Sequence, residues 1–493
     1  MDNAPLVRWP GDREEEEDEI QTLSRSKALV AKVCNESKKL WYLAGPSILI
    51  AVFQFSLFAV TQTFSGHLGA TQLAAVAMGN LVISGIGYGF LMGMGSALET
   101  LCGQAFGAGQ LHMLGIYMQR SWIILTVTAT LISPVFVFAG PILKLLGQTA
   151  QVSEVAGKFS IWIIPQLFAY GFNFPIQKFL QSQSKVIAMA WMSGACLAVH
   201  ILLSWLCIMK LGWGLVGAAI TLNFSWWLLV FVQLAYILLG SCPGAWTGFS
   251  CLAFKDLGGF IKISMASAIM LCLEYWFVMI LIVLVGHLKT NAEIDVDATA
   301  ICLNLDGWII QVPIGFMAAI SVRVSNELGA GRPKAAKFSV GVAVATSLTV
   351  GIFFMVIILI TRTSFPALFT NDPKVMAEVS RISSFLALTI VLNSIQPVLS
   401  GVAVGAGWQA VVSYVNLGCY FLVGLSAAAL LGYKFDLGVK GIWGGMLLGF
   451  VAQMIILSVI TFRTDWNKEA SLAHDRVSTW EKSARVTTTN DVF

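Results

Sequence analysis

The chain has 493 residues, 57% of them apolar and 11% charged, and a formal net charge of +4. That charged share is under half of the ~25% usual in soluble domains, which excludes an ordinary soluble enzyme and describes a polytopic membrane protein. No basic run marks nucleic acid, and nine scattered cysteines without a CxxC pair leave neither a disulfide framework nor a zinc site.

In chain order, residues 1–40 are polar, carry the acidic run Glu14–Glu19 and show no cleavable leader. They read as a solvated cytosolic tail. Twelve apolar segments of spanning length follow, at 41–63, 73–97, 121–140, 159–180, 187–208, 214–239, 257–285, 299–320, 338–360, 383–405, 410–432 and 439–461. A short polar loop, 240–256, separates the sixth from the seventh, and a second polar tail covers 462–493. With the N-terminus in the cytosol, and Arg8, Arg13 and Lys178 left out of the count, eighteen Lys and Arg fall on the inside and nine on the outside. The bias puts both termini inside. A multi-pass membrane protein is expected, and neither tail carries a readable address.

The sequence repeats itself. SGHLGA at 65–70 returns as VGHLKT at 285–290, a shift of 220. QAFGAGQ at 104–110 returns as NELGAGR at 326–332, and Pro-Ile-Gln at 175–177 as Ser-Ile-Gln at 394–396. Gly214-Leu-Val-Gly217 returns as Gly438-Val-Lys-Gly441. Four landmarks in one order at a near-constant shift predict two copies of a six-helix lobe, 41–239 and 257–461, inserted the same way up. The expected fold is all-α, with the two lobes working by alternating access.

The seventh helix, Leu257–Val285, carries Glu274 near its middle. An acid at a helix centre costs about 2.5–3.5 kcal/mol to insert, and such residues mark proton or ligand sites. Met270, Leu271, Phe277 and Val278 surround it at helical spacing, which makes it a candidate proton carrier. A shift of 220 aligns it with Gln54, so one copy titrates where the other holds a neutral amide. Asp306 is a second intramembrane acid and candidate coupling partner. Asn304 and Gln311, seven apart, share a helix face from which Asp306 points about 200° away, with Pro313 able to distort the next turn.

Polar stripes suggest a cavity wall. Gln166, Tyr170, Asn173 and Gln177 recur on the fourth helix, Asn393, Gln396 and Ser400 on the tenth, and Ser47, Gln54 and Thr61 on the first. Amides bond ligand hydroxyls and carbonyls without demanding charge, while interhelical bonding is the plainer use. Phe58, Trp308 and Tyr420 are candidates to stack on planar ligands. Glu99 and Arg323, at cytosolic helix ends beside the Gly-Ala-Gly turns, are candidates for a gate or for loop anchoring. His67 and His287 read as turn ends, His200 as a packing residue, and Glu293, Asp295 and Asp297 as a solvated loop. No P-loop, HxxxD or GxSxG pattern is present, so neither an enzyme nor an intrinsic ATP-driven pump is indicated, and no cofactor is expected.

These landmarks resemble the multidrug and toxic compound extrusion (MATE) family, in its plant DETOXIFICATION branch. The resemblance covers 40–461 and rests on Gly45-Pro46, Gly66–Gly69, Leu98–Gly109 and Tyr117–Ser121 in the first copy. In the second it rests on Cys272–Glu274, Val322–Gly331, Leu399–Ala403 and Gly407–Gln409. It implies a secondary antiporter that exports organic compounds such as flavonoids or xenobiotics from the cytosol, across the plasma membrane or, as expected here, into the vacuole, driven by a proton or sodium gradient, in this branch mostly protons. The partners are then a small organic substrate, protons and the bilayer, around a monomer; the alternative is an ion channel on the same scaffold. Two departures stand out. Many relatives place an acid in the tenth helix where this chain has Asn393, and this chain instead carries Asp306 in the eighth. The branch's eleventh-helix proline is also missing from Gly424–Ala427.

Overall fold

A computed structural model describes residues 25–490, apart from 256, 287 and 289–291. The acidic run Glu14–Glu19 and the His287 turn lie outside the described residues, as does the Glu293 side chain. Every described element is helical. The spanning helices are α1 (Arg25–Gly66), α2 (Ala70–Gly107), α3 (Leu111–Val137), α4 (Ile164–Ser182), α5 (Val186–Lys210) and α6 (Gly214–Ser241). The second copy supplies α7 (Leu257–Gly286), α8 (Ile294–Gly329), α9 (Pro333–Thr361), α10 (Pro373–Ala406), α11 (Gln409–Lys434) and α12 (Gly438–Arg463), and α13 (Trp466–Asn490) ends the chain.

Eleven of these are long and apolar enough to cross a membrane by length and composition. The twelfth expected span, 159–180, falls below that mark. A break at Ile163 divides it into Ala150–Trp162 and α4, which starts with Pro165 in its first turn. The polar stripe of α4 then dilutes its hydropathy. The two stretches expected as solvated tails are ordered where described. Residues 25–40 continue α1 as helix, and α13 buries Trp466, Ala473 and Val477.

The chain divides into two compact units, one of residues 1–48 with 270–472, the other of 49–269 with 473–493. Helices α1 and α7 therefore each contribute their first part to one unit and the remainder to the other. Two glycines permit this. A Cβ on Gly93 of α2 would stand 2.6 Å from the Cα of Ala268 on α7. A Cβ on Gly315 of α8 would stand 2.7 Å from the backbone nitrogen of Ile48 on α1. Gly93 and Gly315 are 222 apart, Ile48 and Ala268 are 220 apart, so the same crossing is built twice.

The repeat also shows in the turns. Helices α2 and α8 end in the same three bonds. Ala108 N–H donates to Gln104 O (2.9 Å), Gly109 to Phe106 O (3.0 Å) and Gln110 to Ala105 O (2.8 Å). Ala330, Gly331 and Arg332 donate to Asn326, Leu328 and Glu327 at 2.9, 3.0 and 2.8 Å. Such a stop needs a left-handed residue, and Gly109 and Gly331 supply φ of 78° and 69°.

Candidate functional site

Helix α10 presents Asn393, Gln396 and Ser400 along one face, at spacings of three and four. All three are buried. Pro397 has no N–H for the Asn393 carbonyl, so the continuous helix lacks one backbone hydrogen bond at this level. Each of the two amides meets a carboxyl. Asn393 Nδ2 donates to Asp306 Oδ2 at 3.1 Å and lies 3.4 Å from Oδ1. Gln396 lies close to Glu274; its Nε2 donates to Ser400 Oγ at 3.3 Å and to Tyr420 Oη at 3.4 Å. Asn393 and Gln396 are one turn apart, about 4.5 Å of axial rise. Among the described residues no hydrogen bond joins the two carboxyls directly; Asp306 is bonded by Asn393, and Glu274 lies beside Gln396.

The wall behind Glu274 is aromatic. Tyr420 stacks on Phe277 with centroids 4.8 Å apart and planes 7° apart, and Phe450 meets both edge-on at 5.7 and 5.8 Å. Glu274 itself is only half-buried, whereas Asp306 is buried. A carboxyl deep in a spanning helix that keeps accessible surface can exchange a proton or bind a ligand; a fully packed one cannot without movement.

Helix α8 explains why Asp306 and Asn304 part company. The helix breaks at Ile310, between Ala292–Ile309 and Gln311–Gly329. Pro313 lacks an N–H for Ile309 and crowds its carbonyl. Gln311 turns back, and its Nε2 donates to Gly307 O at 2.7 Å. Asp306 points to α10, Asn304 is exposed, and Trp308 is half-buried. Asn304 thus does not join the Asp306 cluster.

The other unit holds the neutral counterpart. Gln54 and Gln177 are the repeat positions of Glu274 and Gln396, and both are buried. The Nε2 of each, and both amide atoms of Asn173, lack a hydrogen-bond partner among the described residues. Buried amides are normally satisfied by protein, water or ligand, so this cluster is suited to receive one. Beside it stand Tyr88, Tyr170, Phe174, Trp226 and Phe58. Tyr170 meets Trp226 at 4.7 Å and Tyr88 at 5.3 Å, and Phe58 meets Trp226 at 6.1 Å. The Gln166 amide N–H donates to the Tyr170 hydroxyl, while its Oε1 is buried without a partner among the described residues.

Two features exceed what the sequence suggested. His200 does more than pack: its Nδ1 lies 2.8 Å from Ser225 Oγ and its Nε2 3.1 Å from Thr61 Oγ1. It ties α1, α5 and α6 together, which accounts for Thr61. Arg323 is anchored by a residue assigned to the tail. Its Nε and Nη2 donate to Glu36 at 3.0 Å each, and its Nη1 donates to Glu327 at 2.8 Å. Ser339 donates to Glu36 at 2.6 Å, and Arg332 pairs with Glu327 at 2.7 Å. Glu99 pairs within its own unit, with Lys178 at 3.0 Å. The Arg323–Glu327 pair is readable as an i,i+4 spacing. Glu36, 287 residues away, carries no local signal.

The MatE family model matches residues 46–206 and 266–430. Protein DETOXIFICATION 33 of Arabidopsis thaliana is 58% identical over 464 residues, covering 94% of this chain and 96% of the relative. Protein DETOXIFICATION 32 of the same plant is 54% identical over 462 residues, covering 94% and 90%. The crystal structure of the eukaryotic MATE transporter AtDTX14 is similar, with a TM-score of 0.87 at 35% identity, covering 90% of this chain and 99% of that one. A Vibrio cholerae MATE transporter, VcmN in the bent form, is similar in fold alone, with a TM-score of 0.76 at 16% identity, covering 90% and 99%.

Proposed function

Because the chain belongs to the MATE family of multi-pass membrane transporters, which are not enzymes, we propose that it is a proton-coupled antiporter that exports organic solutes from the cytosol. The observation that carries this reading is the pair of intramembrane carboxyls, Glu274 and Asp306, beside amides one turn apart on α10. Glu274 is the primary proton carrier, because it is the more accessible of the two. Asp306 is the second coupling acid, in place of a tenth-helix acid. Protonation removes a charge and leaves an O–H that must find an acceptor. Gln396 can turn its amide and supply that acceptor, and such a turn would loosen its bonds to Ser400 and Tyr420. Proton binding is thereby linked to the packing of α10 against α11.

The substrate side of the reading rests on the neutral groups: Gln54, Asn173 and Gln177 with Phe58 and its neighbouring rings. Hydrogen-bonding amides beside aromatic faces suit a planar, hydroxylated organic molecule such as a flavonoid or a planar xenobiotic. Asn304 and Trp308 belong to the substrate path only if α8 turns about its break. Glu99 and Arg323 fix the ends of α2 and α8 as anchors. The Lys and Arg bias supports cytosolic termini, and we place the protein in the vacuolar membrane as a monomer.

The test is uptake into vesicles holding the reconstituted protein and an acid interior. Flavonoid glycosides, alkaloids and chloride are offered in turn, with Glu274→Gln alongside. Organic uptake that follows the gradient in the wild type and collapses in the variant is the expected result. Full-rate, gradient-driven uptake by Glu274→Gln would overturn the coupling role. Chloride flux without proton movement would favour a channel.

A further inference from the structure

Helix α9 begins at Pro333, and Lys334, Lys337, Phe338, Gly341, Val342 and Ala345 follow at spacings of three, one, three, one and three. That spacing puts all six on one face over about 16 Å of helix. The same six, with Val33 of α1, line an open groove of about 520 Å³ within one unit. A Cβ built on Gly341 meets nothing within 4 Å, so the groove is open at its middle. Leu29, Val30 and Val33 of α1 are exposed apolar residues at the same end.

The chemistry along the stripe is ordered. The two lysines occupy the first turn and everything beyond them is apolar. Both lysines are exposed, and neither has an ion-pair partner among the described residues. They also stand at the end of the helix where its dipole is positive, the wrong end for their own charge. An anion there is favoured by both lysines and by the helix. The apolar part of the stripe then runs along a helix that is long and apolar enough to cross the membrane. A ligand charged at one end and aliphatic along the rest matches this order; a free phosphate would leave the apolar floor unused.

We propose that this groove binds an anionic phospholipid, its headgroup phosphate on Lys334 and Lys337 and an acyl chain along Phe338, Gly341, Val342 and Ala345. The Lys and Arg bias assigns this end of α9 to the cytosolic leaflet, which carries the anionic lipids of a membrane, and basic pockets between helices on that side suit such headgroups. Val33 lies one turn before Glu36 on α1, and Phe338 lies next to Ser339 on α9. The lipid therefore sits against both helices that meet in the Glu36–Ser339–Arg323 bonds, and it braces that junction from outside.

The experiment is native mass spectrometry of the full-length protein in detergent, titrated with phosphatidylserine, phosphatidylcholine or soluble glycerophosphoserine. It depends on neither transport nor orientation, so it stands or falls apart from the antiport reading. Phosphatidylserine is expected to bind, and phosphatidylcholine and the chain-free headgroup to bind at least tenfold more weakly. The double variant K334Q/K337Q should lose about tenfold or more of the phosphatidylserine affinity, given the contribution of each lysine beside an anionic surface. Gly341→Leu, which fills the open middle, should weaken phosphatidylserine while leaving both lysines in place. All these positions but Val342 are at least partly exposed, and an unchanged elution profile confirms folding. Equal binding of the two lipids, undiminished binding by K334Q/K337Q, or equal binding of glycerophosphoserine would each overturn the proposal.

Discussion

Glu274 with Gln396, and Gln54 with Gln177, are the same two positions of one repeat, and they behave differently. In the first unit the acid and amide face each other, and the amide is further engaged by Ser400 and Tyr420. In the second both residues are amides, and their Nε2 atoms have no partner among the described residues. The same arrangement thus holds a carboxyl and a bonded amide in one copy, and two amides with unpartnered Nε2 atoms in the other. The charged copy suits an ion that comes and goes; the unsatisfied copy suits a ligand with hydroxyls and carbonyls of its own.

The ends of the two repeats differ too, and that difference gives the largest expected effect. Arg323 stands between two buried carboxylates, Glu36 and Glu327, whereas Glu99 has one lysine. Arg323→Met leaves Glu36 without its main partner and should cost about 3–5 kcal/mol of stability, as breaking buried pairs does. Lys178→Met should cost less, because Lys178 keeps some contact with solvent. Thermal unfolding of both variants in detergent orders them. If the two fall equally, the ends are equivalent and the comparison fails there.

The swap Glu274→Gln with Gln54→Glu comes next. It moves the acid to the other copy and leaves the repeat register intact. Gradient-driven uptake should fall to the rate seen without a gradient, because the transplanted carboxylate lacks counterparts of Asp306 and Asn393 in its own copy. Uptake restored to the wild-type rate would mean that either copy can carry the proton. Asn393→Leu is milder: it removes the amide that holds Asp306 and should destabilise by about 1–3 kcal/mol. Asn393→Asp should fold better than Asn393→Leu when one of the two carboxyls is protonated, so its stability deficit should shrink as the pH is lowered. Denaturation followed between neutral and mildly acidic pH reads that directly.

Much of this was legible in the chain. The repeat shift alone paired Glu274 with Gln54, and it located the two Gly-Ala-Gly stops that close with identical bonds. Hydropathy found eleven of the twelve expected spans, and the i,i+4 spacing of Arg323 and Glu327 was open to reading although the pair was not among the expectations. Three things were not legible, each for a physical reason. The contact of Asn393 with Asp306 joins residues 87 apart, and helical periodicity says nothing about which faces meet. The exposure of Asn304 follows from the break at Ile310, which a regular helix would not have. Glu36 lies in a stretch whose polarity reads as solvated, and only Arg323, far along the chain, turns it into a buried ion pair.

The smallest effect on stability should accompany a clear effect on transport. Asn173 is fully buried and neither of its amide atoms has a partner among the described residues. Replacing an unsatisfied buried amide with an apolar group of similar size removes a desolvation cost and no bond, so Asn173→Leu should change stability by about 1 kcal/mol or less, in either direction. If the amide instead serves a hydroxylated substrate, the same variant should raise the concentration for half-maximal uptake of that substrate and leave the response to the proton gradient intact. Asp306→Asn should do the reverse, altering gradient dependence more than apparent affinity. The pair of variants therefore separates the neutral copy from the charged one in a single assay: uptake against substrate concentration, measured at two imposed gradients. A loss of gradient response in Asn173→Leu would show that the two clusters are not divided between substrate and proton, and the distinction drawn from the repeat would have to be given up.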